Sequence, residues 1–135
     1  MKKELIRKKV EEIMKEIEDY YKLSGTVDLQ ALALEKGVYI HNSKVPVKIN
    51  ALTIPLVTDD FVTIINSKLR GRRRIYVLAH ELGHVLLGHY EKGLEASANL
   101  DDHKVLKQPL KNFERDADFF ADELLKTGKK YISTH

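Results

Sequence analysis

The chain has no cysteine. No disulfide can hold it together, which fits a reducing compartment. At 135 residues it is long enough to rely on one buried core instead. Long apolar runs are missing from its start. The stretch MKKELIRKKVEEIMKEIEDYY is charged throughout, so it reads neither as a signal peptide nor as a membrane span. Internal repeats and low-complexity linkers are missing too. These absences lead us to expect one cytoplasmic domain over residues 1–135. Charge of one sign is not abundant either: the net charge is +3 and the pI about 9.0. That mild excess does not make a nucleic-acid binder unless it is clustered. A composition that is 43% hydrophobic and 32% charged is ordinary for a soluble globular protein.

What is present is periodic. Leu5, Ile6, Val10, Ile13, Met14, Ile17, Tyr20 and Tyr21 recur at spacings of three and four, which predicts an amphipathic helix over residues 1–23. Ser24-Gly25 breaks it. Asp28 is suited to cap a second helix, Leu29 to Lys36, closed by Gly37. VYIH, VKINALTI between Pro46 and Pro55, and FVTIIN after the Asp59-Asp60 turn read as three strands. Their short connections suggest a mostly antiparallel sheet. A long helix is expected from near Arg72 to Leu87, ending at Gly88. A polar, weakly periodic loop with room for a helical turn follows from Glu91 to Lys107, then a last helix from about Pro109 to Leu125. The class is α+β.

The chemistry concentrates in YVLAHELGHVLLGHY. His80 and His84, four residues apart, share one helix face. Glu81 lies about 100° round from His80 and about 60° from His84, near enough to lean over the same point without ligating. This is the HExxH arrangement of zinc hydrolases. Imidazoles suit zinc, an open position holds water, the ion lowers that water's pKa toward ~7, and Glu81 takes its proton. The plainer reading is that such histidines are surface residues or satisfied core groups. However, Leu78, Ala79, Leu82, Val85 and Leu86 bury the helix on both sides of the pair. Burying two imidazoles and a carboxylate without partners costs a few kcal/mol each (roughly). One Zn2+ ion removes that conflict, although imidazole and carboxylate ligands also accept other divalent metals.

A third ligand must come from elsewhere. The HExxHxxGxxH pattern fails, because Leu87 and Tyr90 stand where its glycine and histidine belong. His89 projects about 180° from His80 around the helix, so it reads as a helix-end residue outside the reach of the ion. NFERDADFFADELL offers Glu114 and Asp118 on one face with Ala117 and Ala121, whose small side chains would let the two helices approach closely. Phe113, Phe120 and Leu124 form the adjoining apolar stripe. Glu114 is read as the ligand and Asp118 as the acceptor of an imidazole N–H that fixes its tautomer. Asp116 is assigned to the opposite, solvated side. The plainer reading of all these acids is a solvated helix face.

LAHELGHVLLGH followed by FERDADFFADELL resembles the ImmA/IrrE family of zinc metallopeptidases. The strand FVTIIN and the lead-in RRRIYVLAHELGH match as well, so the resemblance covers roughly Val27 to Leu125. In the family pattern a glutamate is followed four residues on by Asn or Asp, then Phe-Ala, then Leu-Leu. Here those are Glu114, Asp118, Phe120-Ala121 and Leu124-Leu125. This sequence departs at LLKT, where the family usually has LLMP, and at Ala51, where it usually has glycine. The resemblance implies a small gluzincin-like scaffold of N-terminal helices, a short sheet, an active-site helix and a glutamate helix. It further implies a bacterial or phage origin and narrow cleavage of a partner regulator, often a helix-turn-helix repressor or antirepressor-type protein. The substrate would lie extended along the edge of FVTIIN or NALTI. Tyr76, Tyr90 and His103 are chemical candidates for an oxyanion stabiliser, against plainer roles in packing and in a solvated loop.

Rival readings come from other features. Arg70, Arg72, Arg73 and Arg74 oppose the macrodipole at a helix start, which phosphate contact would favour. Salt bridges to Asp59 or Asp60, or plain solvation, explain them equally. No stacking aromatics interleave them, so nucleic acid is not expected as a direct ligand. A zinc-bearing interaction module without peptidase activity is the second rival. A third is that the N-terminal stripe meets a partner helix, although packing on the domain accounts for it.

Overall fold

The computed structural model describes residues 1–46, 48–91 and 103–133, with the backbone alone for 103–110. Helix α1 (Lys3–Ser24) forms as its periodicity demands: Ile6, Val10, Ile13, Met14 and Ile17 are all buried. Leu5, the first residue of the expected stripe, is instead 56% exposed. Gly25, at φ 83°, ends the helix, its N–H donating to the Tyr21 carbonyl at 2.9 Å. The Asp28 carboxylate caps α2 (Leu29–Glu35) by accepting from the Gln30 N–H at 2.9 Å, which satisfies one of the helix's unpaired first-turn donors.

Three strands follow: β1 (Val38–Ser43), β2 (Ala51–Pro55) and β3 (Phe61–Asn66). They lie in the order β1-β3-β2, with β2 antiparallel and β1 parallel to β3. The sheet is therefore mixed. Each strand does reverse the direction of its predecessor, as short connections require. The chain nonetheless leaves a gap between β1 and β2, and β3 fills it, so β1 meets a strand running its own way. FVTIIN is thus the central strand and offers no free edge, while β2, among the described residues, keeps one. Strand β2 begins at Ala51 rather than before Lys48, and Val47 lies outside the described residues. Alternation sends Val38, Thr53, Thr63 and Ile65 inward, each buried, and leaves Tyr39, Leu52 and Ile54 exposed on the other face.

Two helices complete the core, the first of them packed against β2 and β3. Helix α3 (Gly71–Leu86) ends where expected, with Gly88 at φ 72°. Helix α4 (His103–Thr127) begins six residues before Pro109, which therefore sits inside the helix rather than at its start. The expected loop up to Lys107 is in part this helix, and residues 92–102 lie outside the described ones. Helix α4 packs on both α1 and α3. Its meeting with α3 is built from small residues: Ala79, Ala117 and Ala121 are fully buried. A Cβ on Gly83 would lie 2.9 Å from Phe120 Cδ1 and 3.2 Å from Phe120 Cβ. Phe120, Leu124 and Leu82 fill the rest of the contact, each worth about 1.5–3 kcal/mol of burial.

Gly83→Ala should therefore overpack this contact and lower stability by about 1–3 kcal/mol. Urea denaturation measures it; an unchanged midpoint would mean the helices have room for the extra methyl.

Candidate metal centre

Four residues of α3 put His80 and His84 one above the other, with ring centroids 4.7 Å apart. The close packing of α4 brings Glu114 across from them. His80 Nε2 lies 3.0 Å from Glu114 Oε2, His84 Nε2 lies 3.0 Å from Glu114 Oε1, and the two Nε2 atoms are 3.1 Å apart. Ligands at zinc bond lengths in a tetrahedron stand about 3.3 Å from one another. The three side chains thus form a group whose size suits one ion. The imidazoles are nearly covered, whereas Glu114 stands at the mouth, 62% exposed, so the open side of the group faces solvent.

The charges support the same fit. The Asp118 carboxylate accepts from His80 Nδ1 at 2.8 Å and from the Tyr76 hydroxyl at 2.9 Å. With hydrogen on Nδ1, a neutral His80 turns the lone pair of Nε2 toward Glu114. Burial pushes the His84 imidazole below its ordinary pKa, which favours its neutral form, the form that ligates metals. The Nε2 atoms of both rings and the Glu114 carboxylate thus converge on one point. A cation there relieves their repulsion.

Glu81 lies beside this group. Its Oε2 accepts from Thr53 Oγ1 at 2.8 Å and from the Tyr90 hydroxyl at 3.4 Å. Thr53 Oγ1 is also 2.8 Å from Thr63 Oγ1. A hydroxyl has one hydrogen, so if Thr53 gives its own to Glu81, Thr63 must donate to Thr53. The chain of donors runs from the centre of the sheet to the carboxylate. Burial raises the pKa of both Tyr76 and Tyr90, which keeps both as O–H donors. Each is engaged with a carboxylate, and the His103 side chain lies outside the described residues.

A cleft of about 560 Å³ opens over the group, lined by His80, Glu81, Glu114 and Asp118 and by Lys48 to Ala51 at the start of β2. The four arginines at the start of α3 diverge. Arg70 donates to the carbonyls of Ser67 and Leu69, and Arg74 to Gln30. Arg73 reaches the cleft, whereas Arg72 lines a groove with Leu125 and Ile132. Among the described residues none of the four pairs with Asp59, Asp60 or another carboxylate within 4.0 Å. They do not form one patch.

Two residues stand where the sequence did not put them. His89 is 3% exposed, with Nδ1 2.8 Å from His84 Nδ1. The 100° projection assumed a continuous helix; α3 stops at Leu86, and Gly88 turns the chain so that His89 returns to the side of His84. The glycine was the available signal. Asp116, expected on a solvated face, is only 15% exposed, and its Oδ2 lies 4.0 Å from His89 Nε2. Thr53 was also missed, since no local pattern links it to Glu81, 28 residues away.

Residues 35–126, about two thirds of the chain, match the family model described as the IrrE N-terminal-like domain, a peptidase family. The matched span runs from the end of α2 through α4 and contains every residue of the group. No curated protein matches the chain.

Glu114→Ala should leave the fold intact and weaken zinc binding by about tenfold or more, one of three ligands being lost. Competition with a chromogenic chelator reads this directly; undiminished affinity would remove Glu114 from the group.

Proposed function

This chain belongs to the ImmA/IrrE family of metallopeptidases, and on that footing we propose that it hydrolyses one peptide bond in a specific partner protein, with Zn2+ held by His80, His84 and Glu114. The observation that carries the reading is the meeting of three ligand atoms from two helices within about 3 Å, beside a carboxylate that is not one of them. Zinc, when bound, supplies Lewis acidity to a scissile carbonyl and to an attacking water. The chain does the rest. Glu81 is the general base: it receives the proton of the water and delivers it to the departing amine nitrogen. Thr53 and Tyr90 engage Oε2 of Glu81, which leaves Oε1 for that proton. Asp118 holds His80 through Nδ1, fixing the ring in the orientation that serves the ion.

The substrate lies extended along the outer edge of β2, which among the described residues pairs with no second strand and would add strand-like hydrogen bonds. That geometry needs an unfolded or loop segment, so the partner offers a local extended stretch at its cleavage site. The family resemblance favours a bacterial or phage regulator such as a helix-turn-helix repressor as the partner, and the reaction takes place in the cytoplasm. Direct nucleic-acid binding has less support, because Arg70, Arg72, Arg73 and Arg74 point to different places. Among the described residues no helix is long and apolar enough to cross a membrane.

Cells expressing the wild type or Glu81→Gln should differ by new protein N-termini confined to one regulator, seen by N-terminal proteomics. Identical sets of N-termini, with the partner bound but uncut, would mean a zinc-bearing interaction module instead. With the partner in hand, Thr53→Val should retain zinc and slow cleavage roughly 10- to 100-fold, as expected for a lost hydrogen bond to a charged group; an unchanged rate would show that Glu81 does not need it.

A further inference from the structure

We propose that His89 is the positioning residue of His84, accepting the hydrogen of His84 Nδ1 on its own Nδ1 and so leaving His84 Nε2 free to ligate. The inference rests on the metal-site reading above. Its basis is a count of hydrogens. The two Nδ1 atoms lie 2.8 Å apart, a distance that holds one hydrogen between them. If His89 supplied it, the remaining hydrogen of a neutral His84 would sit on Nε2. It would then point at His80 Nε2, 3.1 Å away, and at the Glu114 carboxylate, closing the ligand position. If His84 supplies it, Nε2 presents a lone pair to the same point. The hydrogen of His89 then falls on Nε2; Asp116 Oδ2, which accepts from the Met1 amine at 3.2 Å, is the nearby carboxylate but at 4.0 Å lies beyond hydrogen-bond distance.

The surroundings hold His89 in that role. Its ring stacks on Phe113 of α4, centroids 4.4 Å apart and planes within 14°. Gly88 provides the turn that returns the ring to α3. The two imidazoles of the group are thus backed differently: His80 by the Asp118 carboxylate, and His84 by a third imidazole. An imidazole as an outer partner has a consequence that a carboxylate lacks. It can both accept from the ligand and donate onward, so it fixes the tautomer without adding a second negative charge to the buried side of the site.

Two substitutions and two kinds of spectrum test this. His89→Phe keeps a ring against Phe113 and removes the acceptor. It should weaken zinc binding roughly 10- to 100-fold and alter the visible spectrum of the cobalt-substituted protein. His89→Asn restores an acceptor near the position of Nδ1 and should return affinity to within several-fold of wild type, with a wild-type cobalt spectrum. Nitrogen-15 NMR of the wild-type zinc protein should find Nδ1 of His84 protonated and Nδ1 of His89 not. His89→Phe binding zinc as tightly as wild type, an Asn variant as weak as the Phe variant, or the reverse protonation would each overturn the inference while leaving the metal site in place. Wild type that takes up no zinc would overturn the site and this inference together.

Discussion

The close approach of α3 to α4 is the constraint on which the remainder depends. A histidine pair on one helix supplies two ligand atoms and no more. The third must cross an interhelical gap, and the reach of a glutamate is short. Gly83 against Phe120, together with Ala79, Ala117 and Ala121, brings the backbones near enough for Glu114 to touch both imidazoles. The same contact delivers Asp118 to His80 and Asp116 to the neighbourhood of His89. Packing by small residues and chemistry by large polar ones are therefore one interface read at two depths.

That interface also explains how polar groups are tolerated beside an apolar core. Buried imidazoles and carboxylates cost free energy unless they are paired. Here each finds an assigned neighbour: His80 has Asp118, His84 has His89, and Glu81 has Thr53 and Tyr90. The sheet contributes through Thr53 and Thr63, hydroxyls at paired cross-strand positions.

Much of this was legible in the sequence because it is local. The i, i+4 spacing puts His80 and His84 together wherever a helix forms, and the alanines at 117 and 121 announced a close contact on the face that carries Glu114. Asp28 and Gly25 behaved as a cap and a stop for the same reason. What could not be read depends on chain reversals or on strand order. His89 was misplaced because the helical projection was carried past Gly88. Asp116 was assigned to solvent because burial by a distant segment leaves no trace in a local period. The insertion of β3 between β1 and β2, which gives β2 the free edge and Thr53 its place under Glu81, is a matter of topology that short connections alone do not decide. Pro109 misled in the other direction: its preference for helix starts hid the earlier turns of α4.

The account stands or falls on three side chains closing on one cation. Anomalous diffraction at the zinc edge from crystals of the zinc-loaded protein tests this most directly. It should show one ion at about 2.0–2.2 Å from His80 Nε2, His84 Nε2 and a Glu114 carboxylate oxygen. An ion bound elsewhere, or the two imidazoles binding it with Glu114 turned out to solvent, would contradict it.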